Sequence, residues 1–189
     1  MQRRTAAAFA FALFATPIGS CGIVWGPRGI IGVQLPESSD AATRARVRRR
    51  FPGAVESVTP VEVQRAVDGI TALLRGEKRD LADIGLDLSG AEPFHQRVYE
   101  VARTIAPGCT MTYGEIAKQL GQPRAAQAVG VALAKNPVAI IVPCHRVLAA
   151  GGKLGGFSAN GGVTTKRLLL EIEGARLTDE LTLFDPPVR

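Results

Sequence analysis

The sequence is poor in the residues that build metal sites and disulfide frameworks. Its 189 residues include only three cysteines and two histidines, and no two cysteines stand in a C-x-x-C spacing. A sparse, odd set of cysteines excludes a disulfide framework, and their spacing cannot assemble a zinc finger. No cofactor motif is present either. We therefore expect no metal and no cofactor, and a reducing, cytoplasmic environment.

Long apolar runs are also missing, since no stretch reaches the ~20 residues that span a membrane. We expect no membrane partner. Residues 1 to 4 carry two arginines and precede an apolar run at residues 5 to 15, a pattern that also suits a secretory signal. Large side chains alternate with alanines in this run, and a turn at residues 16 to 19 leads into a Gly-punctuated apolar segment. This pattern favours a three-strand meander over a signal peptide.

The remaining composition is that of a folded chain, with 46% hydrophobic residues, 21 Gly and 12 Pro. After the meander we predict a helix capped near Ser39 and ending at Phe51, a helix after Pro60, and a strand over Ile84, Leu86 and Leu88. The fold class is therefore α+β. The predicted divisions are an N-terminal domain at residues 6–90, a second domain at 91–176 and a C-terminal tail at 177–189.

Positive charge is concentrated in the second half of the chain. The net charge is +6, and the segment from Arg103 to Arg167 holds eight basic residues against the single acid Glu115. Such a field suits a polyanion such as nucleic acid, although scattered solvated side chains would give the same count. The five arginines between Arg44 and Arg50 are interpreted as a solvated helix face.

Two short helices follow one another inside the basic segment. Residues 112 to 115 have capping-box spacing and Gly121 closes the first helix, while the second is predicted to begin at Gln122-Pro123. The pair forms a helix-turn-helix. The second helix presents Gln127 on its outer side and Arg124 at its start, which suits a nucleic-acid groove. An Ala-rich helix packed on a neighbour is the alternative.

The segment with reactive side chains is Pro143-Cys144-His145-Arg146. Pro143 cannot donate a ladder hydrogen bond, so Cys144 is predicted at a strand end or turn. Adjacent imidazole and guanidinium groups favour a thiolate, which makes Cys144 a candidate nucleophile. The alternative, a cysteine acting as a small buried apolar residue, is retained for Cys21 and Cys109.

This segment, preceded by Asn136-Pro137 and by the stretch at residues 112 to 117, resembles the methylated-DNA–protein-cysteine methyltransferases, the O6-alkylguanine-DNA alkyltransferases. The resemblance covers residues 93 to 174 and continues more loosely through the N-terminal region. It implies a ribonuclease-H-like α/β domain followed by a winged helix-turn-helix-like alkyltransferase domain. It also implies a monomeric, single-turnover enzyme that moves an alkyl group from O6 of guanine in double-stranded DNA to Cys144, with O4-methylthymine as a further candidate substrate. Its location would be the cytoplasm, at the nucleoid when bound to DNA.

The family resemblance also implies roles for residues around Cys144. His145 would take the thiol proton through a water, a link that we favour because adjacent residues on an extended chain point apart. A glutamate would orient His145, and we choose Glu173 over Glu171, since the latter lies four residues after Arg167 on an exposed face. Asn136 would stabilise the active-site turn. Pro143 and Arg146 are supporting residues.

On the DNA side, the resemblance implies that Tyr113 contacts the phosphate and helps to rotate the damaged nucleotide out of the stack. Ser158, in a Gly-rich wing at residues 151 to 162, would hydrogen-bond guanine O6. Two positions depart from the family pattern: Gln127 stands where an arginine often fills the gap left by the base, and Phe157 stands where tyrosine is usual. We expect Gln127 to give weaker base extrusion, or weaker nonspecific DNA binding, than an arginine would give.

Other function classes explain part of the same pattern. A noncatalytic sensor of alkylated DNA, or a winged-helix regulator, would use the basic segment without chemistry. Sensors of that type replace the reactive cysteine, whereas this chain keeps Cys144. A Cys-His hydrolase is less favoured, because its nucleophile and base usually come from distant positions.

Overall fold

The computed structural model describes residues 9–176. The predicted tail at 177–189, and the first residues of the predicted N-terminal domain, lie outside the described residues. Within the described range, no helix is both long and apolar enough to cross a membrane.

The N-terminal sheet is the predicted meander. Strands β1 (Ala10–Thr16), β2 (Gly19–Gly26) and β3 (Gly29–Gln34) pair antiparallel, with Ala10 opposite Trp25. A short strand β4 (Val55–Glu56) joins parallel to β1, giving the order β3-β2-β1-β4. The predicted strand at residues 84 to 88 is wrong: within residues 9–176, this segment makes an isolated bridge between Leu86 and Ile30.

Two helices cover this sheet at the predicted places. Helix α1 (Asp40–Arg50) starts where the Ser39 side chain accepts a hydrogen bond from the backbone N–H of Ala42, which satisfies one donor of the first turn. Helix α2 (Val61–Leu74) buries an apolar stripe that includes Val63, Ala66, Ile70 and Leu73. The spacing of that stripe is what positions α2 against the sheet.

The second half of the chain is mainly helical. It contains α3 (Pro93–Arg103), β5 (Met111–Thr112), α4 (Tyr113–Gln119), α5 (Ala126–Ala134), β6 (Val147–Leu148) and α6 (Val163–Ile172), and β5 pairs parallel with β6. The capping box of α4 is confirmed, with Thr112 and Glu115 exchanging hydrogen bonds. The predicted start of α5 is wrong, because residues 122 to 125 form a turn before the helix begins at Ala126.

One apolar core connects the two halves. Buried side chains of the sheet, such as Ile23, belong to the same cluster as Val98, Ile116 and Leu169 of the helical half. The backbone N–H of Val33 also donates to the carbonyl of Pro137 at 2.9 Å. The edge of the sheet is therefore fixed beside the turn that carries Cys144. The division near residue 90 stays a prediction.

Candidate active site

A tight turn between α5 and β6 positions Cys144. The Asn136 side chain holds it from both ends, donating from Nδ2 to the carbonyl of Val142 at 2.8 Å and accepting from the backbone N–H of Val138 at 2.9 Å. Ile140, a β-branched residue, has a φ of 72°, which costs energy and persists only where the surrounding contacts impose it. The turn is therefore strained and fixed by its hydrogen bonds.

Cys144 begins a 3-10 turn, Cys144–Arg146, as the prediction of a turn or strand end required. The extended backbone on which we based a water-mediated link to His145 is wrong, because a 3-10 turn places neighbouring side chains differently from a strand. His145 and Arg146 point into the protein, with 1% and 5% of their surface exposed, whereas Cys144 is half-buried.

A buried charge network lies behind the cysteine. Nε2 of His145 is 2.9 Å from Oε1 of Glu173, and Arg146 donates two hydrogen bonds of 2.8 Å to the same carboxylate. Burial raises the pKa of Glu173, but the hydrogen bonds from His145 and Arg146 outweigh it and bring that pKa to about 2. Glu173 is thus ionised at neutral pH. Glu171 is exposed, as expected.

The ionised carboxylate decides the tautomer of His145. Burial lowers the pKa of the His145 imidazole more than Glu173 raises it, so the ring is neutral at pH 7. A neutral ring facing a carboxylate carries its proton on Nε2 and leaves a lone pair on Nδ1. Within residues 9–176, Nδ1 is buried and makes no hydrogen bond. His145 is therefore prepared to accept a proton at Nδ1.

The expected origin of the thiolate needs correction. Arg146 is committed to Glu173 and His145 is neutral, so neither supplies the positive charge predicted from the sequence. Burial raises the pKa of the Cys144 thiol, while a hydrogen bond from Asn136, the charge of Lys166 and backbone N–H groups lower it. Lys166 is fully buried, donates to the carbonyl of Val147, and has its pKa lowered to about 8 by burial.

Cys144 opens onto a cavity of about 520 Å³. Its lining includes Phe157 and Ser158 of the Gly-rich loop and residues of β3 and α1. A volume of this size is within the range of small-molecule sites. No cluster of three or more metal-ligating side chains occurs in the described part of the chain.

Tyr113 packs against the same loop at Gly155. Its hydroxyl oxygen is 3.4 Å from where a Cβ on Gly155 would be, so a larger residue there would press on the ring. Gly155 also has a φ of +65°. The Nζ of Lys166 lies 5.9 Å from the centre of the Tyr113 ring, a cation–π distance. The structure thus brings Tyr113, Lys166 and the loop together.

Two predicted DNA contacts lie apart from this network. Gln127 is exposed on α5, and Arg124 is exposed in the turn before it. Three of the eight basic residues counted in the sequence serve the fold: Arg103 donates to backbone carbonyls, and Arg146 and Lys166 are buried. The field available to a polyanion is therefore smaller than the count suggested.

Lys166 is a site residue that the sequence did not single out, since it counted only among the eight basic residues between Arg103 and Arg167. A lysine within an amphipathic helix usually faces solvent, and the only signal for its burial was its place beside Leu169 and Leu170 on the inner face of α6. The arginines of α1 were also misinterpreted in part, since Arg46, Arg49 and Arg50 line the cavity that contains Cys144.

Comparisons with known sequences give a consistent picture. The family described as 6-O-methylguanine DNA methyltransferase, DNA binding domain, matches residues 93–175. A methylated-DNA–protein-cysteine methyltransferase of Mycobacterium tuberculosis is 52% identical over 120 residues, 64% of this chain and 70% of that protein. A protein of the same name from Methanothermobacter thermautotrophicus is 33% identical over 162 residues, 85% of this chain and 83% of the relative.

Solved structures extend the similarity to almost the whole chain. The crystal structure of Mycobacterium tuberculosis OGT in complex with DNA has a TM-score of 0.72 and 38% identity, covering 93% of this chain and 99% of that one. The O6-methylguanine-DNA methyltransferase from Pyrococcus kodakaraensis has a TM-score of 0.69 and 27% identity, covering 87% and 99% of the two chains. The mixed α/β fold is thus shared with these proteins.

Proposed function

The chain belongs to the family of methylated-DNA–protein-cysteine methyltransferases, and on that premise we propose that it repairs DNA by moving an alkyl group from O6 of guanine onto Cys144. The observation that carries this proposal is the half-buried thiol on a cavity beside the buried pair of His145 and Glu173. A noncatalytic sensor would not need this network.

The reaction is a single displacement. The thiolate sulfur of Cys144 attacks the alkyl carbon, an S–C bond forms, and the bond from that carbon to O6 breaks with its electron pair leaving on the purine. The thiol proton leaves through His145, and a proton returns to the base, which becomes guanine. Because the thioether is stable, each protein molecule reacts once, and no cofactor takes part in the balance.

The site residues divide the work. As the family resemblance implies, His145 takes the thiol proton through a water. Its Nδ1, which makes no hydrogen bond within residues 9–176, is the acceptor, and Glu173 holds the ring and stabilises the imidazolium as it forms. Asn136 and Pro143 fix the turn, and Arg146 anchors Glu173. Lys166 favours the thiolate by its charge.

The substrate has to leave the duplex before it can reach Cys144. We propose that α5 lies along double-stranded DNA with Arg124 and Gln127 toward it, and that Tyr113 contacts a phosphate as the base rotates out. Ser158 would hydrogen-bond O6, and Phe157 would pack beside the base. Unstacking costs a few kcal/mol, which the pocket contacts repay.

The finer architecture belongs to the same proposal. The meander with its two helices is consistent with a ribonuclease-H-like N-terminal domain. Helices α4 and α5 followed by the Gly-rich loop are consistent with a winged helix-turn-helix. We propose that the protein acts as a monomer on DNA in the cytoplasm.

The test is intact mass after mixing the protein with duplex DNA that carries one O6-methylguanine. We expect a gain of one CH2 group per protein molecule, with peptide mapping placing it on Cys144. The matched control is Cys109→Ser. The buried apolar role expected for Cys109 is wrong, because this cysteine is exposed, and its replacement should leave the transfer intact.

The Cys144→Ser variant should bind the damaged duplex and gain no mass. An unchanged wild-type mass with excess damaged DNA would refute the transfer and favour the sensor. Turnover of an ester or peptide beyond one equivalent would favour the hydrolase.

A further inference from the structure

The arginines of α1 divide into two sets with different surroundings. Arg44 and Arg48, four residues apart, turn toward β4, where Arg44 bonds Glu56 at 2.8 and 3.1 Å and Arg48 lies 3.8 Å from it. Arg46, Arg49 and Arg50 share the other side, as positions i, i+3 and i+4 do on a helix. The second set lines the cavity that contains Cys144.

The second set has little compensating negative charge. Among the described residues that line the cavity, Glu37 is the one acid, against four cations, the three arginines and Lys135. It lies 3.9 Å from Nε of Arg46, and it accepts a hydrogen bond from Gln34. Nε of Arg46 is buried and makes no hydrogen bond with any described residue. The lining of the cavity therefore carries a net positive charge, contributed mainly by α1.

Arg50 differs from its two neighbours. It donates to Oε1 of Gln34 at 2.8 Å and to the carbonyl of Asn136 at 3.4 Å, so it connects α1 to the turn that carries Cys144. Burial and the charge of Arg46 lower the pKa of Arg50. Arg50 thus has a positioning role, whereas Arg46 and Arg49 have donors available at the cavity wall.

We propose that Arg46 and Arg49 bind a backbone phosphate of the DNA strand that carries the extruded base, so that the N-terminal half of the chain contributes directly to DNA binding. This inference rests on the proposed function. A nucleotide whose base lies in the Cys144 cavity has a phosphate on each side of its sugar, outside the pocket. Planar guanidinium groups match phosphate oxygens, and displaced counterions add to the affinity.

The test compares two double variants of the full-length chain that remove equal charge from the same helix. Arg46→Ala with Arg49→Ala removes the cavity set, and Arg44→Ala with Arg48→Ala removes the set paired with Glu56. Both are made in a Cys144→Ser background, and binding to a duplex with one O6-methylguanine is measured by fluorescence anisotropy over a range of salt concentrations.

We expect the first double variant to weaken binding by about tenfold. It should also flatten the dependence of log K on log salt by about one unit for each phosphate that is no longer neutralised. The second should stay within about twofold of the parent. With Cys144 restored, the first should need more DNA for half-maximal methyl transfer while the limiting rate is unchanged.

Equal weakening by the two double variants would overturn the inference, because bulk charge would then explain it, and so would no weakening by either. Thermal melts check folding, and Arg46→Gln with Arg49→Gln replaces the alanine pair if that pair unfolds. Failure of the wild-type protein to accept a methyl group would refute the proposed function instead, and the anisotropy measurement does not depend on that reaction.

Discussion

Cys21 and Cys144 belong to one chain and differ in nearly everything except their side chain. Cys21 lies in β2 with no exposed surface, and its sulfur is 3.9 Å from Oγ1 of Thr16. Cys144 is half-buried at a strained turn and opens on a cavity. The two positions separate a cysteine used for packing from one placed for reaction.

Burial acts on both thiols in the same direction. It raises the pKa of Cys21 to about 12, with only the Thr16 hydroxyl opposing it. It also raises the pKa of Cys144, but there Asn136, Lys166 and backbone N–H groups oppose it. Enclosure alone therefore makes a cysteine inert, and reactivity needs charges and donors aimed at the sulfur together with a way in.

The largest difference between the two regions is the buried charge beside Cys144, and Glu173→Gln tests it. The change leaves Arg146 without its carboxylate and His145 without its orienting partner. We expect a loss of about 3–5 kcal/mol in the free energy of unfolding and near-complete loss of methyl transfer. Urea denaturation and single-turnover mass spectrometry measure the two effects, with exposed Glu171→Gln as the control.

Glu173→Gln should also change how the free energy of unfolding depends on pH. The pKa of Glu173 is about 2 in the folded protein against an ordinary 4.5, so the folded state binds fewer protons than the unfolded state between these values. The stabilisation is present above about pH 4.5 and is lost as the pH falls toward 2. Glu173→Gln should lack this part of the acid dependence. An unchanged acid profile would contradict the ion pair.

Lys166→Met tests the charge that favours the Cys144 thiolate. We expect methyl transfer at pH 7 to slow by about tenfold, because the pKa of the Cys144 thiol rises without the ammonium group and less thiolate is present. Lys166 has a pKa of about 8, so above that pH the wild-type lysine is neutral and the gap between the two proteins should narrow.

An assay without DNA isolates this effect. Alkylation of Cys144 by iodoacetamide, followed by peptide mapping, should show the same slowing and the same narrowing with pH. Lys78→Met removes an exposed lysine and should change neither rate. A gap that stays constant from pH 7 to 9.5 would assign Lys166 to packing.

The two regions also differ in how far the sequence predicted them. The alternation of large apolar and small residues, together with turn glycines, predicted the β1–β3 meander around Cys21. A strand with one buried face shows this two-residue period in its sequence. The capping box of α4 was predictable for the same local reason. The strand at residues 84 to 88 was not, since a short apolar alternation does not specify a pairing partner.

Around Cys144, the family resemblance indicated which residues form the site. The charge states of those residues depend on the folded structure. His145 and Arg146 adjoin Cys144 in sequence, which suggested that they activate it, yet the 3-10 turn directs both to Glu173. The burial of Lys166 and the split of the α1 arginines depend on contacts between segments far apart in the chain. Such contacts leave no local pattern.

Cys21→Ala tests the packing side of the comparison. Removing a buried sulfur from β2 should cost about 1 kcal/mol in the free energy of unfolding through the small cavity left behind. Methyl transfer per folded molecule should be unchanged, which urea denaturation and single-turnover transfer measure together. A slower transfer at full folding would show that the sheet and the Cys144 turn are coupled.

The smallest expected effect concerns Gln127, an exposed residue of α5. Cys21 is enclosed within the sheet, whereas the Cys144 turn follows α5, where Gln127 is exposed beside neutral and small residues. A glutamine can hydrogen-bond an orphaned base but brings no charge, so Gln127→Arg should raise the affinity for damaged duplex and the transfer rate at limiting DNA by about threefold. Gln119→Arg, which adds the same charge at an exposed position of α4, is the control. If Gln127→Arg and Gln119→Arg act alike, added charge alone is responsible and Gln127 has no special place in base extrusion.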